Sequence, residues 1–432
     1  MNVPEPSDVD HLIDPQPLPT FTKIRHEPAT QTISNPADAA QAELDSLKID
    51  RLADGATVAI GVGSRGIHAI NDIVSAVASS LITRGFNPVV VPAMGSHGGA
   101  TPEGQREVLK SLDISEEQVG VPIDAQMDTK HLETVSVGDT EMPVYFSTVA
   151  MNTDAIIIIN RIKPHTNFSG QIESGLSKMT VVGLGKQRGA KSFHSTAISE
   201  GYVETLQTAL SVIKSNTSLL GGIALVENFR ERIARVEGVP VGSFSDREPA
   251  LLDLAYEEMP TLPVDDVDLL VVDELGKEIS GAGMDTNVIG RYRVLNTTDP
   301  DEPVIKLIYA RGLTKKTKGN ANGIGLADIT RKAALDQLDI QKTYANALTS
   351  GSLAKAKLPV VMPDDELALR TALTALGGYS PDTVRILWIQ NTQDLAEMHV
   401  SQPVLPDLPD SATVLRETSL TFTDGTASFT DS

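Results

Sequence analysis

No cysteine occurs anywhere in the 432 residues. That excludes disulfides, a thiolate zinc site and a cysteine nucleophile, so any metal must be held by His, by carboxylate or by a ligand that the chain does not encode. Positive charge is scarce as well: 36 Lys and Arg stand against 57 Asp and Glu, for a formal net charge of −21. An extended nucleic-acid surface or an anionic membrane would be repelled at long range, and neither partner is expected. No run of about 18 apolar residues is present. The start, MNVPEPSDVDHLIDPQPLP, is acidic and Pro-rich rather than basic and then apolar, and the expectation is a cytoplasmic protein. Internal repeats of fixed period and long low-complexity blocks are also missing.

What is there is ordinary globular material, 41% hydrophobic and long enough for two or three domains. After the leader, FTKIRH reads as a strand and NPADAAQAELDSLKI as a helix capped by Asn35 and started by Pro36. From Ala56 strands and helices alternate: ATVAIGV, a helix from Ile67 to Thr83, NPVVVPAM, and PEGQREVLKSLD entered through Thr101. Between Val119 and Ser147, TVSVG and MPVYFS suggest a β-rich insertion or edge. DAIIIIN is too continuous for a surface strand and reads as a buried central one, which makes RIKPHTNFSGQIESGLSK a loop at a strand end. YVETLQTALSVIK follows as a helix, GGIALVEN and RIARVEGV as strands, and EPALLDLAYEEM as a helix before the linker PTLPVDD. The domain boundary is placed there, giving residues 1–262 and 263–432. The second part contains the strands VDLLVVDEL, VIKLIYARGL and RILWIQN, a helix predicted over GLADITRKAALDQL, and a terminal hairpin at LTFTDGTASFT. The fold class is α/β: mostly parallel or mixed sheets flanked by helices, with ligands at the carboxyl ends of the strands.

The turn GVGSRG, Gly61 to Gly66, lies between a predicted strand and helix and so carries the dinucleotide-binding spacing. That fingerprint also needs an acidic residue roughly 20 positions on, at the end of the second strand. Here that strand ends Val91-Pro-Ala-Met94, with no carboxylate. Arg65 instead suits a carboxylate or phosphate directly, although a tight turn with a solvated Arg remains the plainer alternative. GLGKQRGAK, from Gly183, fails as a phosphate loop, because Thr180 and Gln187 stand where Gly and Ser or Thr are required.

Of eight histidines, His97 and His165 each follow a predicted strand and His194 comes soon after, in loops rich in Gly, Ser and Thr. Any one of them alone reads first as a structural, hydrogen-bonded histidine. His11, His26, His68, His131 and His399 receive only that reading. Residues 161–194 carry Arg161, Lys163, Lys178, Lys186, Arg188 and Lys191 against Glu173 alone, +6 − 1 = +5. Such a basic island in an acidic chain focuses small anions, unless its lysines are simply solvated.

Taken in series, Gly95-Ser-His97-Gly-Gly, Lys163-Pro-His165, Ser174-Gly-Leu-Ser-Lys178 and His194 resemble the nickel-dependent lactate racemase family, over roughly residues 56–230. The resemblance implies a nickel-pincer nucleotide, a pyridinium mononucleotide tethered to Lys178 whose nickel is bound by S, C, S and a histidine. It implies His194 as that metal ligand, His97 and His165 as the acid–base pair, Arg65 as the clamp on the substrate carboxylate, and two domains with the site in their cleft. The implied activity is a racemase or epimerase that inverts C2 of an α-hydroxy acid by hydride transfer to the cofactor. The residue chemistry agrees: the α-proton is weakly acidic, loss of hydride leaves a planar keto acid, and each enantiomer's hydroxyl needs its own base. Arg can hold the carboxylate bidentately, and the sulfur donors come with the cofactor.

Lys178 stands 13 positions after His165, and Gly183-Leu-Gly185 follows where lactate racemase has a Pro-Gly turn. In the second domain Glu274 to Asn287 occupies the region of the family's substrate contacts, with Lys277 as the candidate. The expected substrate is accordingly a small anionic α-hydroxy acid other than lactate, such as a larger or sugar-derived one. Two other classes stay open: a nicotinamide-dependent hydroxyacid oxidoreductase using Gly61, Gly63 and Gly66, and a non-catalytic protein that holds an anion or nucleotide.

Overall fold

The computed structural model describes residues 3–13, 17–295 and 297–431 and is mixed α/β. Contacts divide the chain into two compact units. One comprises Thr30–His165 and Ser169–Met259; the other comprises Met1–Ala29, Thr166–Phe168 and Pro260–Ser432. The first strand, β1 (Phe21–His26), belongs to the second of these, although the sequence reading of residues 1–262 put it in the first. Among the described residues no helix is long and apolar enough to cross a membrane.

The unit built on Thr30–His165 and Ser169–Met259 contains β2 (Thr57–Val62), β3 (Asn87–Pro92), β4 (Thr129–Val137), β5 (Thr140–Ser147), β6 (Ala155–Arg161), β7 (Leu219–Glu227) and β8 (Ile233–Pro240). Five of them form one sheet in the order β3-β2-β6-β7-β8. The first four of these run parallel and β8 is antiparallel to β7. β6 occupies the middle, and its apolar run has a direct cause. Ile156 and Ile158 pack into the hydrophobic cluster on one face, while Ala155, Ile157 and Ile159 pack into the cluster on the other. Both faces are covered, so strict polar–apolar alternation is lost.

The helix Ile70–Thr83 lies on the second face through Ile70, Ile73, Val74, Val77 and Leu81, the spacing of one helical stripe. Lys186–Glu200, Tyr202–Asn216 and Phe244–Glu258 contribute Phe193, Leu210 and Leu251 to the first. Asn35 accepts from Asp38 N at 3.3 Å and Thr101 from Gly104 N at 3.1 Å, the helix starts read from sequence. β4 and β5 pair with each other as a separate antiparallel ribbon.

The other unit holds β9 (Asp266–Val272), β10 (Val304–Ala310), β11 (Ile329–Arg331), β12 (Val360–Met362), β13 (Ile386–Ile389), β14 (Glu397–Ser401), β15 (Ala412–Thr423) and β16 (Thr426–Asp431). With β1 they make a nine-stranded mixed sheet, β12-β11-β10-β9-β13-β14-β1-β15-β16. β1 fills the space between β14 and β15, antiparallel to both, which is why the N-terminal segment joins this unit. The terminal hairpin turns at Asp424-Gly425 with φ of 48° and 72°, the paired left-handed conformation of a two-residue hairpin turn.

The helix expected over GLADITRKAALDQL is not one helix. Ile329–Arg331 is a strand parallel to β10 and β12, and within the segment only Lys332–Leu335 is α-helical, Ile324–Leu326 being a single 3-10 turn. Tertiary pairing overrides the helical spacing: Ile329 and Thr330 are buried, and Thr330 Oγ1 donates to Ala310 O at 2.7 Å. The longer helices here, Ile340–Ser350 and Asp365–Ala375, start at Asp339 and Asp364 caps.

Candidate functional site

β3, β2, β6 and β7 end side by side, and the chemistry-bearing residues leave from those ends. Ser64 and Arg65 follow β2, His97 follows β3, Arg161 to His165 leave β6, and Glu227 ends β7. Open parallel sheets bind ligands at this edge.

The glycine turn after β2 is not shaped as a dinucleotide fingerprint. A Cβ on Gly66 would meet nothing within 4 Å, so this glycine serves no close helix–strand packing. The helix starts only at Ile70, behind a left-handed Ala69. What the turn does present is Ser64, whose hydroxyl makes a short hydrogen bond with His97 Nδ1, and Arg65. Solvent reaches Arg65, yet the protein flanking it and, second, the like charge of Arg161 hold its guanidinium below the ordinary value.

Lys178 ends a short helix, Leu176–Lys178, that continues as the π-helical turn Met179–Gly183 and then as Lys186–Glu200, which carries His194. Wide turns of this kind are frequent at functional sites. The turn is pressed against the end of β3: Gly95 N donates to Gly183 O at 3.0 Å, and a Cβ on Gly183 would stand 2.5 Å from Ala93 O. That packing requires the glycine of Gly183-Leu-Gly185. Replacing Gly183 by Ala is expected to destabilise the protein by about 1–3 kcal/mol, measured by denaturant unfolding.

Burial pushes the Lys178 amine down to about 7; Arg65 adds to the shift and Glu173 opposes it. Burial and the nearby Lys178 charge push the His194 imidazole down to about 4, so it is neutral at physiological pH. Lys178 thus senses the charge of Arg65, and His194 that of Lys178. His165 joins through Glu173, whose carboxylate accepts a short hydrogen bond from His165 N, one from Gly170 N at 3.0 Å and one from Tyr256 Oη at 2.9 Å. Burial raises the Glu173 carboxyl, against those hydrogen bonds and the Lys178 charge. The His165 ring lies 6.4 Å from Tyr202, Tyr202 lies 6.1 Å from Phe193, and Phe193 lies 5.4 Å from His194, measured between ring centroids.

Five of the six residues singled out from sequence, Arg65, His97, His165, Lys178 and His194, belong to one unit; charge links Arg65, Lys178 and His194, Glu173 joins His165 to Lys178, and His97 is bonded to Ser64, the neighbour of Arg65. Lys277 belongs to the other unit, where its amine donates to Gly281 O at 2.7 Å and Asn346 Oδ1 at 3.1 Å. The basic island is smaller than its formal charge. Arg161 pairs with Glu227, and the Lys186 amine is fully buried against Pro92 O at 2.8 Å and Gln105 Oε1 at 3.3 Å. Sequence reading missed Ser64, Glu173 and Glu248. Only Glu173 left a signal, as the lone acid among the cations of 161–194.

No protein-family model matches the chain, and no curated protein matches it. Among solved structures it is similar to a crystal structure of a Thermotoga maritima protein from the Northeast Structural Genomics Consortium, at 14% identity and a TM-score of 0.51 over 86% of this chain and 99% of that one. That likeness defines the class, an α/β fold shared over most of the chain, and no activity. The crystal structure of O-ureido-L-serine synthase gives a TM-score of only 0.14 at 10% identity, covering 86% of this chain and 89% of that one, and carries no argument.

Proposed function

We propose that the protein is an isomerase that inverts C2 of an α-hydroxy acid with a nickel-pincer nucleotide attached to Lys178, as in the nickel-dependent lactate racemase family that its motifs resemble. One observation carries the reading: a lysine amine held near neutrality lies within electrostatic reach of both a fixed guanidinium, Arg65, and a neutral imidazole, His194. An amine of that kind, largely unprotonated near neutral pH, would be acylated by an activated acyl group of the nucleotide as that group's leaving atom and the amine's proton depart, and the amide-like link would remove a charge that its surroundings disfavour.

The residues fit the group. His194 offers a lone pair to nickel. The chain has no cysteine, and among the described residues no set of three or more His, Asp or Glu could hold a bare ion, so the metal's other donors come with the cofactor. When bound, the nucleotide supplies an acceptor for the α-hydrogen together with its electron pair. Arg65 binds the substrate carboxylate and orients C2. One of His97 and His165 would take the hydroxyl proton of the starting enantiomer while the other gives a proton to the hydroxyl of its mirror image, the roles exchanging in the reverse direction. Ser64 bonded at Nδ1 sets the His97 ring, and Glu173 holds the backbone of His165.

The test uses protein produced together with the enzymes that assemble the cofactor, offered a panel of chiral α-hydroxy acids. Interconversion of enantiomers or epimers at C2 is expected. A bound nucleotide with no inversion of any of them would favour a holding protein, and tight NAD(H) binding that depends on Gly61, Gly63 and Gly66 would favour a redox enzyme.

A further inference from the structure

We infer that Glu248 is a positioning residue for Lys178: its carboxylate grips the turn Gly175–Ser177 and so fixes where the lysine side chain leaves the backbone. The inference rests on Lys178 being the attachment point proposed above. Glu248 sits in the helix Phe244–Glu258, is 1% exposed, and is 71 positions from Ser177 along the chain. Ser177 N donates to both of its carboxylate oxygens at 3.1 Å, and Ser177 Oγ makes a short hydrogen bond to Oε2. The turn is shaped to admit it. A Cβ on Gly175 would lie 2.3 Å from Glu248 Oε1 and 2.7 Å from Ile162 Cδ1, so any larger residue there would push the carboxylate off the turn. On the other side Asn160 Nδ2 donates to Gly175 O at 3.3 Å, and Thr180 Oγ1 donates to Leu176 O at 2.8 Å. The segment Gly175–Ser177, which leads into Lys178, is thus held from the central strand and from a remote helix at once.

A neutral serine or asparagine would satisfy the same N–H groups without burying a carboxyl. Burial pushes the Glu248 carboxyl up to about 7, against the hydrogen bonds from Ser177 and Leu176. A carboxyl that is costly to bury and that grips Ser177, the residue before the reactive lysine, acts on that lysine's position. Glu173, by contrast, acts on Lys178 through its charge.

The full-length protein without cofactor is treated with acetic anhydride over a range of pH, and acetylation of each lysine is followed by peptide mass spectrometry. In the parent protein Lys178 is expected to label with a midpoint near its value of about 7. Glu248→Ala is expected to raise that midpoint by more than about one pH unit, as the amine loses its enclosed position. Glu248→Gln, which keeps one acceptor for Ser177 N, falls between. Should Glu248→Ala fail to fold, Ser177→Ala moves the midpoint in the same direction by less. Lys186, buried elsewhere in the unit, keeps its own profile throughout. An unchanged Lys178 midpoint in the variants, or Lys186 shifting in step with Lys178, overturns the inference. Loaded parent protein lacking any adduct at Lys178 would remove the proposed function and leave this positioning result standing.

Discussion

If the protein inverts hydroxy acids as proposed, replacing His97 or His165 by Ala is expected to slow inversion by roughly 10²–10⁴-fold without loss of the proposed nucleotide from Lys178. The size follows from the work assigned to these rings. A hydroxyl proton must leave as the α-hydrogen leaves, and a positioned imidazole accepts it far better than water. Both variants should fold. The His97 ring stands exposed after β3, and the loop bearing His165 is held by Glu173 through the backbone N–H, which alanine retains. Because the proposed reaction needs both histidines in each direction, one as base and one as acid, the double variant should be little slower than the worse single one. Chiral chromatography of the substrate pool reads all three rates. Arg65→Lys should chiefly raise KM, since an ammonium cannot reproduce a bidentate grip on a carboxylate.

Lys178→Met is expected to abolish turnover altogether and, in the cofactor-free protein, to raise stability. The sign follows from the shift. The amine's folded value, about 7, lies below its ordinary 10.5. The fold therefore bears the full cost of the charged form below about pH 7, and that cost fades as pH rises from 7 towards 10.5. Removing the amine should stabilise the protein by roughly 1–2 kcal/mol at pH 6, discounted for the partial solvent access of the side chain, and by progressively less towards pH 10. Thermal unfolding at the two pH values measures it. A stabilising substitution that destroys function is the expected signature of a strained functional group.

The architecture of the first sheet was legible because its signals are local. Ile156 to Ile159 announce a strand buried on both faces, and Asn35 and Thr101 announce helix starts. Ile329 and Thr330 misled because a short apolar run fits either period, and only pairing with β10 decides it. The place of Phe21–His26 was hidden for a similar reason: nothing within six residues says which distant strands they will join. At the candidate site, the side chains given proposed chemical roles stood out by type and motif, whereas the residues that contact them did not. Ser64, Glu173 and Glu248 are ordinary residues made significant by partners 33, 8 and 71 positions away. The positive charge of 161–194 was overstated because two of its cations, Arg161 and Lys186, turn out to be engaged by Glu227 and by buried carbonyl oxygens.

The most direct measurement is the mass of the peptide containing Lys178, taken from protein produced with the cofactor-assembly enzymes and shown to invert a hydroxy acid. The account predicts that this lysine carries a covalently bound, nickel-containing nucleotide or the remnant it leaves on digestion. An active preparation in which Lys178 is a free amine would contradict it.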